Sequence, residues 1–474
     1  MTQRSVSQTL SNTSGVEWDS GRSRISHLRA RVSYNASSRF VGRALGALVS
    51  LVALRLTTHY FGPARWGAIV AASAFANLFV GLCDFGITRI VSRELADPGT
   101  DHPSTYGAGL LGGALVSGIA MAVMSVAAVV VYEGHPHLRT LSLILVLSLP
   151  PNAVWVISGA VLIARARNDA RGVIDITSSL FLLAAAGSTV SVALGAAGYL
   201  WLTVLADVAT GVLGLAIARH YVRANLRVAR SRIRETLKRA APLGMSQVLI
   251  SVAVQIDVVL LSLVAPLASV GTFGVALQLA VFGTAIPPML TAAILPKFLD
   301  GSVERRKRLV QRAFDVLVLT GATLPLVATV FARTGMTLLA GHKFAGQPTP
   351  LVLLSCYAAL WFPAAVFLDG LVYLQSEGAV LRTMAAATSA NLLAAGITIP
   401  LFGATAAAAV LLGTSAVTLG WSATSFKRAA GFGISLSTAG RFVLVAIFLE
   451  GVYLVLHSTT VVAAVGGFIV LPEV

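Results

Sequence analysis

Residues 59–75 read HYFGPARWGAIVAASAF. The Gly62-Pro63-Ala64-Arg65 step divides two apolar runs, near residues 40–60 and 66–88. Each run has about the 20 residues that a helix needs to cross roughly 30 Å of hydrocarbon. The stretch therefore reads as the turn between two transmembrane helices. Runs of the same kind recur near residues 106–132, 140–163, 172–195 and 197–219. After a polar interval they resume near 243–265, 270–296, 313–332, 350–374, 382–400 and 404–425, with a further run near 442–457. The closing TTVVAAVGGFIVLPEV is short for a full crossing and reads as a terminal half-span or a last helix. In a chain of 474 residues, 56% are hydrophobic and 11% charged, far from the averages of soluble domains. The expected fold class is an all-α integral membrane protein with 12 to 14 transmembrane helices.

Charge tests this layout independently, because Lys and Arg concentrate on the cytoplasmic side of a membrane. With every second loop placed inside, 30 of the 35 Lys and Arg fall on one side. The other side keeps Arg65, Arg139, Arg333 and Lys343, and Arg55 stays within a span. The N-terminus is thus expected in the cytoplasm, and the first span is expected to act as an uncleaved signal, since no apolar run precedes residue 40. The net charge of +16 is accounted for by juxtamembrane anchoring beside anionic lipid, without nucleic acid. Even RRKRLVQR, at 305–312, fits that role.

The basic interval at 219–239 carries seven Arg and Lys238 and separates six spans from at least six. It divides the chain into a tail (1–39), a first lobe (40–219), a linker (220–241), a second lobe (242–425) and one or two further helices (426–474). Val228, Ile233 and Leu237 give the linker the pattern of an amphipathic surface helix. A shift of 207 residues sets ARWGAIVAASAF (64–75) against GTFGVALQLAVF (271–282), pairing Gly67 with Gly274. Six spans per half give both lobes the same orientation, with pseudo-symmetry about the membrane normal and a cavity between them.

The motifs exclude several chemistries. No GxxxxGK[ST] loop is present, so ATP is not the expected energy source. GAGLLG, at 107–112, opens a span and reads as helix packing rather than a dinucleotide loop. Asp84-Phe85-Gly86 matches a kinase triplet, but no catalytic or phosphate loop accompanies it. Neither a metal site nor an enzyme is expected: Cys83 and Cys356 lie alone in apolar runs, HPH at 135–137 lacks a further ligand, and the longest outer loop has no carboxylate.

Charges inside spans carry the functional signal, because a charge in hydrocarbon needs a partner or water. Arg55 lies roughly 22 Å beyond Phe40 along the first helix, and Asp257 sits roughly 21 Å into the seventh. Gln255, Ser251 and Ser262 share the seventh span, so Asp257 is expected to face a hydrated space between the lobes. Asp175, Asp207, Asp315 and Asp369 read as structural. Asp84, near the inner interface with Arg43, Arg89 and Arg93, is expected to form an inner gate or salt bridge, or to orient arginines toward a phosphate.

Four segments resemble the polysaccharide flippases (Wzx type) of the multidrug/oligosaccharidyl-lipid/polysaccharide (MOP) exporter superfamily, over about residues 40–310. They are the Gly-Pro turn of HYFGPARWGAIVAASAF, with Trp66 where the family usually has Tyr or Phe; CDFGITRIVSRELA (83–96); PLGMSQVLISVAVQIDVVLLSLVAPLASVGTFGVALQL (242–279); and ILPKF (294–298). The resemblance implies a MATE-like pair of six-helix lobes that alternate access in the bacterial inner membrane. They would flip an isoprenoid-diphosphate-linked oligosaccharide, in company with a polysaccharide polymerase and glycosyltransferases. On that reading Arg43, Arg55 and Arg89 contact the diphosphate. By analogy with cation-coupled relatives, Asp257, with Gln255 beside it, is the candidate site for a coupling H+ or Na+, with no other cofactor. A multidrug antiporter and a lipid II flippase of the same superfamily are the competing readings.

Overall fold

The computed structural model describes residues 4–284, 287, 290–291, 302–346 and 348–434, with side chains from residue 42 onward except 43 and 168. The run near 442–457 and the closing segment lie outside the described residues. Regular structure among the described residues is helical throughout. In chain order the helices are α1 (Arg4–Asp84), α2 (Ile87–Ala96), α3 (His102–Val131), α4 (Pro136–Leu145), α5 (Leu149–Ala164), α6 (Asn168–Ser191) and α7 (Ala196–Tyr221). After the linker come α8 (Arg230–Val264), α9 (Leu267–Gly283), α10 (Val303–Ala340), α11 (Thr349–Tyr373) and α12 (Glu377–Ala430).

The Gly-Pro step does what its chemistry predicts. Gly62 takes φ 68° and ψ 175°, outside helical space, and breaks α1 into two limbs. The first limb passes from Gly42, against Gly172 of α6, to Tyr60, whose hydroxyl donates to the Leu194 carbonyl at 3.1 Å. The second returns to the starting end, where the Thr88 hydroxyl in α2 reaches the Val156 carbonyl at 3.2 Å. Gly403, at φ 59°, breaks α12 in the same way. A single-turn 3-10 segment at Val146–Ser148 joins α4 to α5 just ahead of Pro150 and Pro151, whose missing N–H groups interrupt helical bonding. Among the described residues, nine helical segments are long and apolar enough to cross a membrane. With both limbs of α1 and α12 and the shorter α9, the described residues supply twelve crossings. The chain is a multi-pass membrane protein.

The linker departs from a single surface helix. Residues 222–229 are non-helical and lie against the start of α3, where the Asn225 amide donates to the Pro103 carbonyl at 2.9 Å. Helix begins at Arg230 and runs through Pro242 into the seventh crossing, so Ile233 and Leu237 are helical and Val228 is not. Gly107 packs on the Asn225 carbonyl, Gly109 on Val91 and Ile157, and Gly112 on Leu237. The literal GxGxxG is therefore a packing surface. At this basic end Arg239 pairs with Glu94 of α2 at 3.1 Å.

The lobes meet most closely at the far end, where the second limb of α1 crosses α9. Gly67 lies on the Leu267 carbonyl and Gly271 on the Pro63 carbonyl, each four residues before the partner glycine. This reciprocal contact relates the two segments by 204 residues, one helical turn from the 207 read from sequence, and makes Gly271 rather than Gly274 the counterpart of Gly67. The hydroxyls of Tyr132 and Ser262, 3.3 Å apart, add a polar contact between the lobes.

Candidate functional site

Toward the basic end, α1 gives way to α2 at Asp84-Phe85-Gly86. Phe85 and Gly86 have φ of 40° and 71°. A Cβ on Gly86 would lie 2.8 Å from the Leu243 Cβ and 2.9 Å from the Ala240 carbonyl, so glycine is required by space as well as by backbone. Gly244 in turn faces the Phe85 carbonyl. Asp84 closes the break: its Oδ1 accepts the Thr88 amide at 3.0 Å, satisfying one of the free donors at the start of α2. Among the described residues it forms no ion pair with Arg89 or Arg93, and its contact is this cap of α2. The physical reason is the break at Phe85 and Gly86, which ends the bonding of α1 and leaves the Thr88 amide open to this carboxylate. Arg43's side chain lies outside the described residues.

The break aims Arg89 into a cavity of about 140 Å³ between the lobes. Leu243, Ser246 and Gln247 of α8 and Trp361 and Asp369 of α11 line the same space. Arg89 is exposed there, and its guanidinium has no hydrogen bond to any described residue. Asp369 shares this space with it, and its Oδ2 accepts the Thr291 hydroxyl at 2.6 Å. Arg93 points instead into a separate cavity of about 710 Å³ on the basic face, beside Glu94, Arg232 and Arg239. Arg55 is far from both. It lies on an exposed stripe of the first limb with Leu48, Val52 and His59, and the His59 ring approaches Gly341, in the loop after α10. Seven residues separate Arg55 from Gly62 and 27 separate Gly62 from Arg89, which puts the two arginines more than about 20 Å apart along the bundle. One diphosphate does not bridge them.

Asp257 is fully buried within the second lobe instead of facing the space between lobes. Asn391, from the first limb of α12, donates through Nδ2 to Asp257 Oδ2 at 3.2 Å and to Thr414 Oγ1 of the second limb at 3.1 Å. Asp257 Oδ1 and Asn391 Oδ1 are buried without a hydrogen-bond donor among the described residues. Two unpartnered acceptors beside a hydroxyl form a group of hard oxygen atoms short of positive charge, a donor set that suits Na+ or a proton on the carboxylate. Gln255, two residues away and so about 200° round the helix, is half-buried, forms no hydrogen bond with a described residue and does not join this group. A small void lined by Tyr357, Thr388, Thr414 and Thr418 adjoins it, and Trp361 and Ile250 belong both to its wall and to that of the Arg89 cavity. Asn391 and Thr414 were not singled out by the sequence; an Asn midway through an apolar run was the available signal.

A family model described as "Polysaccharide biosynthesis protein" matches residues 32–301, more than half of the chain. No curated protein matches it. Among solved structures, the lipid II flippase MurJ in an inward closed conformation is similar at 11% identity and a TM-score of 0.66, covering 92% of this chain and 99% of that one. A multidrug resistance MATE transporter of the MOP superfamily, inward-facing, is similar at 15% identity and 0.59, covering 87% and 99%. A MOP superfamily transporter from Pyrococcus furiosus follows at 14% and 0.54, covering 88% and 96%. At these identities the likeness is one of fold, and the fold is that of MOP transporters.

Proposed function

We propose, on the premise that the chain belongs to the polysaccharide biosynthesis protein family, that it is a flippase for an isoprenoid-diphosphate-linked oligosaccharide. It moves this substrate from the inner to the outer leaflet of a bacterial cytoplasmic membrane, with its basic end and N-terminus in the cytoplasm. The observation that carries the reading is Arg89: a guanidinium without a hydrogen-bonded partner among the described residues, held in a cavity between two lobes near the basic end. Such a group binds phosphate oxygens through paired N–H donors and keeps its charge at any physiological pH. A polar glycan and diphosphate do not cross hydrocarbon unaided, so a protein-lined route is required. The separation of Arg89 from Arg55 fits two successive stations, Arg89 at loading and Arg55 nearer release.

Coupling falls to Asp257, Asn391 and Thr414, which would hold H+ or Na+ one side-chain layer from the substrate cavity, across Trp361 and Ile250. A polysaccharide polymerase and glycosyltransferases are the natural partners. Deletion of the chain followed by analysis of lipid-linked intermediates tests the reading. Complete oligosaccharide units accumulating on the inner leaflet are expected. Normal surface polysaccharide with altered drug tolerance would overturn it in favour of multidrug antiport, and accumulation of lipid II would reassign the substrate.

A further inference from the structure

We propose that Asp369 is the counter-charge that holds Arg89 when no diphosphate is bound, so that substrate and Asp369 compete for one guanidinium. The inference rests on the reading of the Arg89 cavity as a diphosphate site. Arg89 comes from α2 and Asp369 from α11, in different lobes, and the two line the same cavity of about 140 Å³. They form no ion pair within 4 Å, so the cavity lies between the two charges. The carboxylate is held by the second lobe through the Thr291 hydroxyl, at 2.6 Å, and its Oδ1 has no hydrogen bond to a described residue.

An arginine stays protonated, and a cavity emptied of diphosphate leaves its charge without a counter-ion inside the bundle, which is costly. A carboxylate on the opposite wall offsets that cost. A diphosphate carries more charge and accepts paired N–H donors, so it displaces the carboxylate on loading. When it leaves, Asp369 takes back the guanidinium and draws the emptied lobes together at this end. Asp369 is thus a positioning residue for Arg89 and sets how readily substrate is released.

The test measures binding of farnesyl diphosphate, with farnesol as control, to the full-length protein in phosphatidylcholine nanodiscs. Asp369→Asn is expected to bind the diphosphate on the order of tenfold more tightly than wild type, the size of one charge–charge interaction across a partly hydrated gap. Asp369→Glu is expected to restore wild-type affinity, and in an Arg89→Gln background Asp369→Asn should change nothing. A merely structural Asp369 would give unchanged or weaker binding in Asp369→Asn, which overturns the inference and leaves the flippase reading standing. Absence of diphosphate binding by the wild type overturns both. Asp369→Ser, which keeps an oxygen for Thr291, serves the same comparison if the Asn variant fails to assemble.

Discussion

Substitution of Gly67 by leucine attacks the crossing of α1 and α9, where the lobes close the far end. The space can be worked out from the backbone alone. A Cβ on Gly67 would sit 2.7 Å from the Leu267 carbonyl carbon and 2.9 Å from the Gly271 nitrogen, and closer still to the Leu267 oxygen. Bringing the carbon contact to an ordinary 3.4 Å moves the helices apart by about 0.7 Å, and the oxygen demands more. Both obstacles are backbone, so no rotamer change relieves them. Overpacking of this kind costs about 1–3 kcal/mol. Because the contact exists only where the lobes touch, that cost falls on the state closed at this end and shifts the balance toward the open one by about 5- to 150-fold. Spin labels at Arg65 and Lys343, both exposed at the far end and in different lobes, report the shift as a longer interlabel distance. Gly118→Leu is the matched control, since nothing lies within 4 Å of a Cβ there. A distance distribution in Gly67→Leu identical to wild type, with transport intact, would refute the assignment of this crossing as a lobe contact that opens.

Other outcomes are expected on the same grounds. Asp257→Asn should abolish stimulation of transport by a Na+ or H+ gradient in proteoliposomes while the protein still purifies as a folded species; Asn391→Ala and Thr414→Val should each raise the half-saturating cation concentration. Gly86→Ala combines a left-handed backbone with a 2.8 Å approach to Leu243, and should lower stability by about 1–3 kcal/mol, read as a lower Tm in detergent. Asp84→Ala should lose a helix cap worth about 1 kcal/mol, whereas Asp84→Asn retains an acceptor. In a double-mutant cycle on stability, Asp84→Asn and Arg93→Gln should be additive, because the two side chains do not meet.

The sequence by itself determined the class of the protein: hydropathy marked its crossings, Lys and Arg marked their common side, and Gly62-Pro63 marked the first hairpin. These signals are local, since the length of an apolar run and the conformation of a glycine do not wait on the rest of the fold. The motifs read from sequence also anticipated the family that the model match assigns. Direction of side chains was another matter. Asp257 and Gln255 belong to one apolar run, and only packing against α12 decided that one faces Asn391 and the other does not. In the same way the repeat offset read from sequence missed by one turn, because a shift of three residues in an Ala- and Gly-rich helix nearly preserves its face, and only the Gly67–Gly271 contact discriminates. That Asp84 caps α2 followed from the break at Phe85 and Gly86, which its neighbours in sequence did not reveal. Asp369 gained its place opposite Arg89 only when residues 280 positions apart were brought to one cavity, a juxtaposition that no local pattern encodes.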